Sequence, residues 1–153
     1  MCDGLSMTTR FLLVEDDPAD VEFVSRAFDS SGHQLLVVSD GQQAIDYLSG
    51  KGAYADRRKF PLPQVILLDL KMPRVNGFEF LKWLRHQSPG DLRLLPVIIM
   101  SSSDEPSDVK AAYALGVNSY LTKPIQWQEF QERMKAVNVF WGSHTQVPSV
   151  SAA

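Results

Sequence analysis

Three uninterrupted apolar runs limit what this chain can fold into: Phe11-Leu12-Leu13-Val14, Val65-Ile66-Leu67-Leu68 and Pro96 to Met100. A strand with one wet face alternates polar and apolar residues, whereas a strand covered on both faces does not. Apolar residues at helical spacing follow each run, and this order favours a parallel sheet with helices on both faces. Right-handed crossovers are close to obligatory there, so the strand ends that precede helices all point one way. Asp69 ends the second run, and Pro73 holds Met72 extended, so the chain leaves as a loop. An acid at the carboxyl end of a buried parallel strand stands where open α/β sheets hold their chemistry.

Residues 1–9 read as a loose tail and 10–14 as the first strand. Asp17-Pro18-Ala19-Asp20 starts a helix, with Asp17 as N-cap, Pro18 first and Asp20 near the positive end. Ser30-Ser31-Gly32 stops it, Gln34 to Val38 is the second strand, and Asp40-Gly41 turns into a helix over 42–48. Segment 49–64 breaks the pattern with Gly50, Gly52, Arg57-Arg58-Lys59, Pro61 and Pro63. It is long for a connection inside a compact domain, and its basic cluster reads as solubilising. Asn76-Gly77 begins the third helix, where Phe80 and Trp83 read as packing residues. Ser101 ends the fourth strand, Pro106 opens a helix to Leu115, and Gly116 fits a left-handed cap. Ser119-Tyr120-Leu121 is a short fifth strand that Thr122-Lys123-Pro124 leaves. Trp127, Phe130, Met134, Val137 and Trp141 share one face of a long final helix. The expectation is one domain over 10–141, between flexible tails at 1–9 and 142–153. The second tail is too short for an output domain.

Composition narrows the function classes. A net charge of −3, from 18 acids against 15 Lys and Arg, does not suggest a nucleic-acid surface. The one cysteine, Cys2, allows neither an internal disulfide nor a cysteine metal site. No signal-peptide core and no run of membrane-spanning length occur, so a cytoplasmic protein is expected.

The shared polarity of the strands brings distant residues together. Glu15 and Asp16 follow the first strand, Asp69 the third, Ser101 the fourth and Lys123 the fifth. Three carboxylates at one edge are costly unless a cation neutralises them, and hard oxygen ligands suit Mg²⁺. Glu15, Asp16, Asp69 and the backbone carbonyl of Lys71 are the candidate metal ligands. Asp69 is the candidate nucleophile for a phosphoryl group, giving an acyl phosphate. Lys123 offers a mobile positive charge to a phosphate oxygen, and Ser101 a hydroxyl that bonds to the phosphoryl group once present. Each residue alone has a plain structural reading, as a helix cap, a solvated charge or a loop. Their joint placement at corresponding strand ends is what points to chemistry.

The same residues resemble the CheY-like receiver domain of two-component response regulators, over about residues 10–141. Glu15 and Asp16 match the family's acidic pair, and Asp69 with Met72-Pro73 and Gly77 its phosphorylated aspartate and following motif. Pro96 to Ser101 matches the fourth strand and its switch hydroxyl, Tyr120 the rotating aromatic, and Lys123-Pro124 the lysine and commonly cis proline. The resemblance implies a flavodoxin-like three-layer α/β/α fold with a five-stranded parallel sheet in order 2-1-3-4-5. It implies catalytic roles for Asp69, Ser101 and Lys123, a switch made by Ser101 and Tyr120, and bound Mg²⁺. It also implies a phosphohistidine donor on a sensor histidine kinase and output through the fourth helix, fifth strand and fifth helix. A receiver promotes its own phosphorylation and dephosphorylation without being a free-standing enzyme. The Asp-Asp-Pro-Ala-Asp start, the 49–64 segment and the aromatic-rich last helix resemble the single-domain regulators of bacterial phytochrome histidine kinases. That implies a homodimer through the same output face, with the directions of Phe140 and Trp141 as the discriminating feature.

Two rival functions remain open. A phosphorylation-independent receiver-fold binding module would not need the full set of Glu15, Asp16, Asp69, Ser101 and Lys123. A haloacid-dehalogenase-like phosphatase would place a second carboxylate two residues after its nucleophile, where Lys71 stands here. Neither G-x-x-x-x-G-K-[ST] nor G-x-G-x-x-G occurs, which argues against a nucleotide-binding fold.

Overall fold

The computed structural model describes residues 8–153, so Cys2 and most of the first expected tail lie outside the described residues. Five strands alternate with five helices: β1 (Arg10–Val14), α1 (Pro18–Phe28), β2 (Gln34–Val38), α2 (Gly41–Ser49), β3 (Val65–Leu68), α3 (Gly77–His86), β4 (Val97–Ser101), α4 (Pro106–Ala114), β5 (Ser119–Thr122) and α5 (Trp127–Val139). The strands form one sheet in the order β2-β1-β3-β4-β5. Every neighbouring pair is parallel, with Leu12 opposite Ile66, Leu68 opposite Ile99 and Ile99 opposite Tyr120.

The apolar runs explain the three layers. Alternate residues of one strand point to opposite faces, so each run feeds two cores. Leu12, Val14, Ile66, Leu68, Val97 and Ile99 pack with Ala44 and Leu48 of α2, Leu81 and Leu84 of α3 and Ala112 of α4. Phe11, Leu13, Val65, Leu67, Ile98 and Met100 pack with Val24 and Phe28 of α1 and Phe130, Met134 and Val137 of α5. Burial of each large side chain contributes about 1.5–3 kcal/mol, which makes the central strands a rigid platform for their loops.

Local chemistry sets the helix starts. The Asp17 carboxylate accepts from the Ala19 N–H at 2.8 Å, and the Asp40 carboxylate from the Gln43 N–H at 2.8 Å. Asn76 and Glu79 form a reciprocal capping box on α3. No helix among the described residues is long and apolar enough to cross a membrane.

The structure departs from the sequence reading at Arg57 and at Lys123–Pro124, and adds detail at the end of the chain. In the 49–64 segment, Arg57 is not a solubilising charge: its guanidinium donates to the carbonyls of Tyr47 and Leu48, both at 2.7 Å, and closes the C-terminal end of α2. Phe60 packs edge-on against Tyr47 and Tyr54, which tilt against each other beside it. The last α-helix stops at Val139 and becomes a π-helical turn over Phe140–His144, where Thr9 Oγ1 donates to the Gly142 carbonyl at 2.7 Å. Beyond it, Val147 packs on the α1–α5 core and Val150 on the opposite one, and the Asp91 N–H donates to the Ser151 carbonyl at 3.0 Å. No cis peptide bond occurs among the described residues, so Lys123–Pro124 is trans, unlike the proline the resemblance implies.

Candidate functional site

The parallel ladder carries the site residues to one edge. Just past β1, the Glu15 N–H donates to the Val38 carbonyl at 3.1 Å; just past β3, the Asp69 N–H donates to the Val14 carbonyl at 3.0 Å. The Lys123 N–H donates to the Ser101 carbonyl at 2.7 Å and joins the ends of β4 and β5. Strand pairing therefore fixes the backbones of Glu15, Asp69, Ser101 and Lys123 directly. Asp16 follows on the open side of β1 and is exposed.

Glu15, Asp16 and Asp69 each offer an oxygen, and these atoms lie within 4.8 Å of one another. Glu15 is 1% exposed and Asp69 6% exposed, so two of the three carboxylates are withdrawn from water. The Lys123 ammonium bonds to Glu15 Oε2 at 2.7 Å and Asp20 Oδ2 at 2.8 Å, and stands 3.8 Å from Asp69 Oδ1. The Lys71 N–H reaches Asp69 Oδ1 at 3.4 Å, a long and weak contact. One ammonium thus faces three carboxylates, with Asp16 beside two of them, and oxygen donors so closely spaced fit a hard divalent cation.

The electrostatics follow from that imbalance. Burial pushes the Glu15 carboxyl up to about 7, with the Asp69 charge adding to the rise and Lys123 opposing it. Burial likewise raises Asp69, against the opposing charge of Lys123. Burial alone would lower Lys123, but its bonds to Asp20 and Glu15 hold it up at about 12. The ammonium keeps its proton at any physiological pH, while the carboxylates lack full compensation.

Ser101 is fully buried, and its hydroxyl oxygen accepts from the Ser103 N–H at 3.1 Å. That leaves the hydroxyl proton free to donate to an anion. Ser103 in turn donates to Asp108 at 2.6 Å and accepts from the Glu105 N–H at 3.3 Å, tying this loop to the start of α4. The Tyr120 ring packs on the α2–α3–α4 core, and its hydroxyl donates to the Ser103 carbonyl at 2.8 Å. Tyr120 is thus already turned toward the loop that follows Ser101. Of the last-helix aromatics, Trp127, Phe130 and Trp141 belong to the α1–α5 core, while Phe140 is 54% exposed.

Sequence reasoning missed Asp20 as a site residue, because an acid in the first turn of a helix reads as a dipole partner. Its one signal was its place in the first turn of α1, right after the strand end that carries Glu15 and Asp16.

Comparison with known proteins agrees with this geometry. The family model for the response regulator receiver domain matches residues 11–135. Response regulator Rcp1 of Synechocystis sp. is 35% identical over 151 residues, which cover 97% of this chain and 99% of that one. The crystal structure of the phosphorylated cyanobacterial phytochrome response regulator RcpA has a TM-score of 0.85 and 32% identity, covering 94% of this chain and 100% of that one. The Mn²⁺-bound form of Rcp1 has a TM-score of 0.83 and 34% identity, covering 92% and 99%. With the sheet order, the strand-end acids and the family match in agreement, the chain belongs to the response regulator receiver domain family.

Proposed function

We propose that Asp69 accepts a phosphoryl group from the phosphohistidine of a sensor histidine kinase. The observation that carries this reading is the convergence of Glu15, Asp16 and Asp69 within 4.8 Å, beside one buried ammonium. An Asp69 oxygen attacks phosphorus as the P–N bond breaks; the imidazole nitrogen leaves with the electron pair and takes up a proton. Glu15, Asp16, Asp69 and the Lys71 carbonyl would hold Mg²⁺, which supplies positive charge against the transferring group. Lys123, already 3.8 Å from Asp69, pairs with a phosphoryl oxygen, and the Ser101 hydroxyl donates a hydrogen bond to another. Attack by water later returns Asp69 and inorganic phosphate. The chain promotes both steps on itself and turns over no separate substrate.

The new charge draws on Ser101 at the end of β4, and Ser103 in the loop that follows bonds to Ser101, to the Tyr120 hydroxyl and to Asp108 of α4. Phosphate therefore biases the face made by α4, β5 and α5, by shifting a population between two arrangements of that loop. Output through protein contact follows, and the half-exposed Val139 and Phe140 at the end of α5 support a homodimer on this face. For the kinase, the fully exposed Ile125 lies in a groove with Phe23, Pro124 and Trp127, next to Lys123. A phytochrome-type kinase is the favoured donor, since RcpA is itself a phytochrome response regulator.

The test uses a phytochrome-type histidine kinase autophosphorylated with γ-labelled ATP. Label should move to this chain in Mg²⁺ and stay on the kinase when Asp69→Asn replaces it. Transfer to Asp69→Asn as fast as to the natural chain would defeat the assignment.

A further inference from the structure

Among the described residues Arg74 is the one non-glycine residue with a positive φ, +64°, in the loop from Leu70 to Asn76 that leaves Asp69. A side chain with a Cβ avoids that region unless its surroundings hold it there. The Arg74 guanidinium donates to Asp40 Oδ2 from Nε at 3.0 Å and also from Nη2. Asp40 is buried, and it simultaneously caps α2 through the Gln43 N–H. Burial alone would raise its carboxyl, but the Gln43 N–H and the Arg74 guanidinium hold it below the ordinary range.

A second contact grips the same place. The Gly41 N–H donates to the Val75 carbonyl at 3.1 Å, and a Cβ on Gly41 would lie 2.4 Å from that carbonyl oxygen. On the inner side the Gly77 N–H donates to the Leu70 carbonyl at 3.0 Å, and a Cβ on Gly77 would lie 2.6 Å from the Asp69 carbonyl oxygen. The loop is thus pinned inside to its own base and outside to the start of α2. Lys71, whose carbonyl is a proposed cation ligand, lies between the pins.

We propose that Arg74 is a positioning residue for the Asp69 site: its bridge to Asp40 holds the 70–76 loop where the Lys71 carbonyl can serve a bound divalent cation and the incoming phosphoryl group. The inference rests on the phosphoacceptor reading above. The bridge is half-buried, with Arg74 63% and Asp40 5% exposed, so it contributes something to the fold; in Arg74→Gly the relieved backbone offsets part of that loss, and Asp40 keeps the Gln43 N–H as a partner. Its effect falls on loop position, where partners behind a metal ligand typically change affinity by about tenfold or more.

Three variants separate positioning from scaffolding. Arg74→Gly removes the bridge and eases the backbone, Arg74→Lys keeps charge but loses the paired N–H groups, and Asp40→Asn keeps the cap but loses the charge. The measurements are metal-free Tm, Mg²⁺ affinity by titration calorimetry, and phosphorylation rate over a range of acetyl phosphate. Arg74→Gly should melt within about 4 °C of the natural chain, the relieved backbone offsetting part of the lost pair. Its Mg²⁺ binding should weaken about tenfold. Its phosphorylation rate at saturating donor should fall, while the donor concentration for half-saturation stays put. Arg74→Lys should recover part of the loss, and the double variant should be no worse than Asp40→Asn alone. Unchanged Mg²⁺ affinity in Arg74→Gly overturns the proposal, as does a loss that tracks a fall in Tm. A natural chain that takes no phosphate would instead sink the phosphoacceptor reading, while the Mg²⁺ titration still decides the role of Arg74.

Discussion

Replacing Asp69 by Asn should stabilise the metal-free protein. The Asp69 oxygen lies within 4.8 Å of oxygens of Glu15 and Asp16. At an effective dielectric of about 20, each such pair of full charges repels by about 3.5 kcal/mol. Asp16 is exposed, and Glu15, at about 7, is partly protonated near neutrality, so both repulsions are discounted. Against them stands the attraction of Lys123 at 3.8 Å, about 4 kcal/mol on the same scale. The cost of burying the Asp69 carboxylate tips the balance, because Lys123 keeps Glu15 and Asp20 as partners after the change. The net gain should be about 2 kcal/mol, or a rise of about 4–8 °C in Tm for a domain of this size. Thermal unfolding followed by circular dichroism at pH 7.5 in EDTA reads it directly. Added Mg²⁺ should then raise the natural chain more than the variant. A lower Tm for Asp69→Asn in EDTA would refute the reasoning, since it would mean that the fold needs this carboxylate as a partner for Lys123.

Other consequences are open to simple assays. The Glu15 carboxyl rises from 4.5 to about 7 on folding, so the folded chain holds a proton that the unfolded chain has lost. Metal-free stability from this group is therefore greatest below pH 4.5, falls by up to about 3 kcal/mol as pH rises to 7, and is flat above. Denaturant melts of the natural chain against Glu15→Gln should show that slope only in the former; parallel curves would contradict it. Arg57→Ala strands the Leu48 carbonyl and leaves that of Tyr47 to the Gly50 N–H, and should cost about 1–2 kcal/mol in urea unfolding, with Mg²⁺ affinity unchanged. Phe140→Glu should shift any dimer toward monomer in sedimentation velocity without altering phosphorylation, and an unaltered dimer would remove Phe140 from the interface.

The sheet was legible because its signal is local and redundant. Three apolar runs without alternation demand cover on both faces, and one connection rule then aligns their ends. That logic also leads to the acidic cluster, since Glu15, Asp16 and Asp69 each stand next to a strand end. What stayed hidden is contact between residues whose positions depend on helix packing. Asp20 reaches Lys123 across 103 residues of sequence, and Arg74 reaches Asp40 across 34. Neither pair has a spacing that marks it. Arg57 looked like its neighbours Arg58 and Lys59 because composition cannot say which of three basic residues turns back to cap a helix. The long last helix was legible because Phe140 and Trp141 continue the apolar period, but its change to π form over Phe140–His144, with the Gly142 carbonyl bonded to Thr9, has no sequence signal.

The central claim is that Asp69 carries the phosphoryl group. The direct measurement is intact-mass spectrometry of the protein after exposure to acetyl phosphate in Mg²⁺, followed by borohydride reduction and peptide mapping. The account predicts one added phosphoryl group, absent in EDTA and in Asp69→Asn, and conversion of residue 69 to homoserine by the reductant. Phosphate that survives in Asp69→Asn, or homoserine at any other acid, would contradict it.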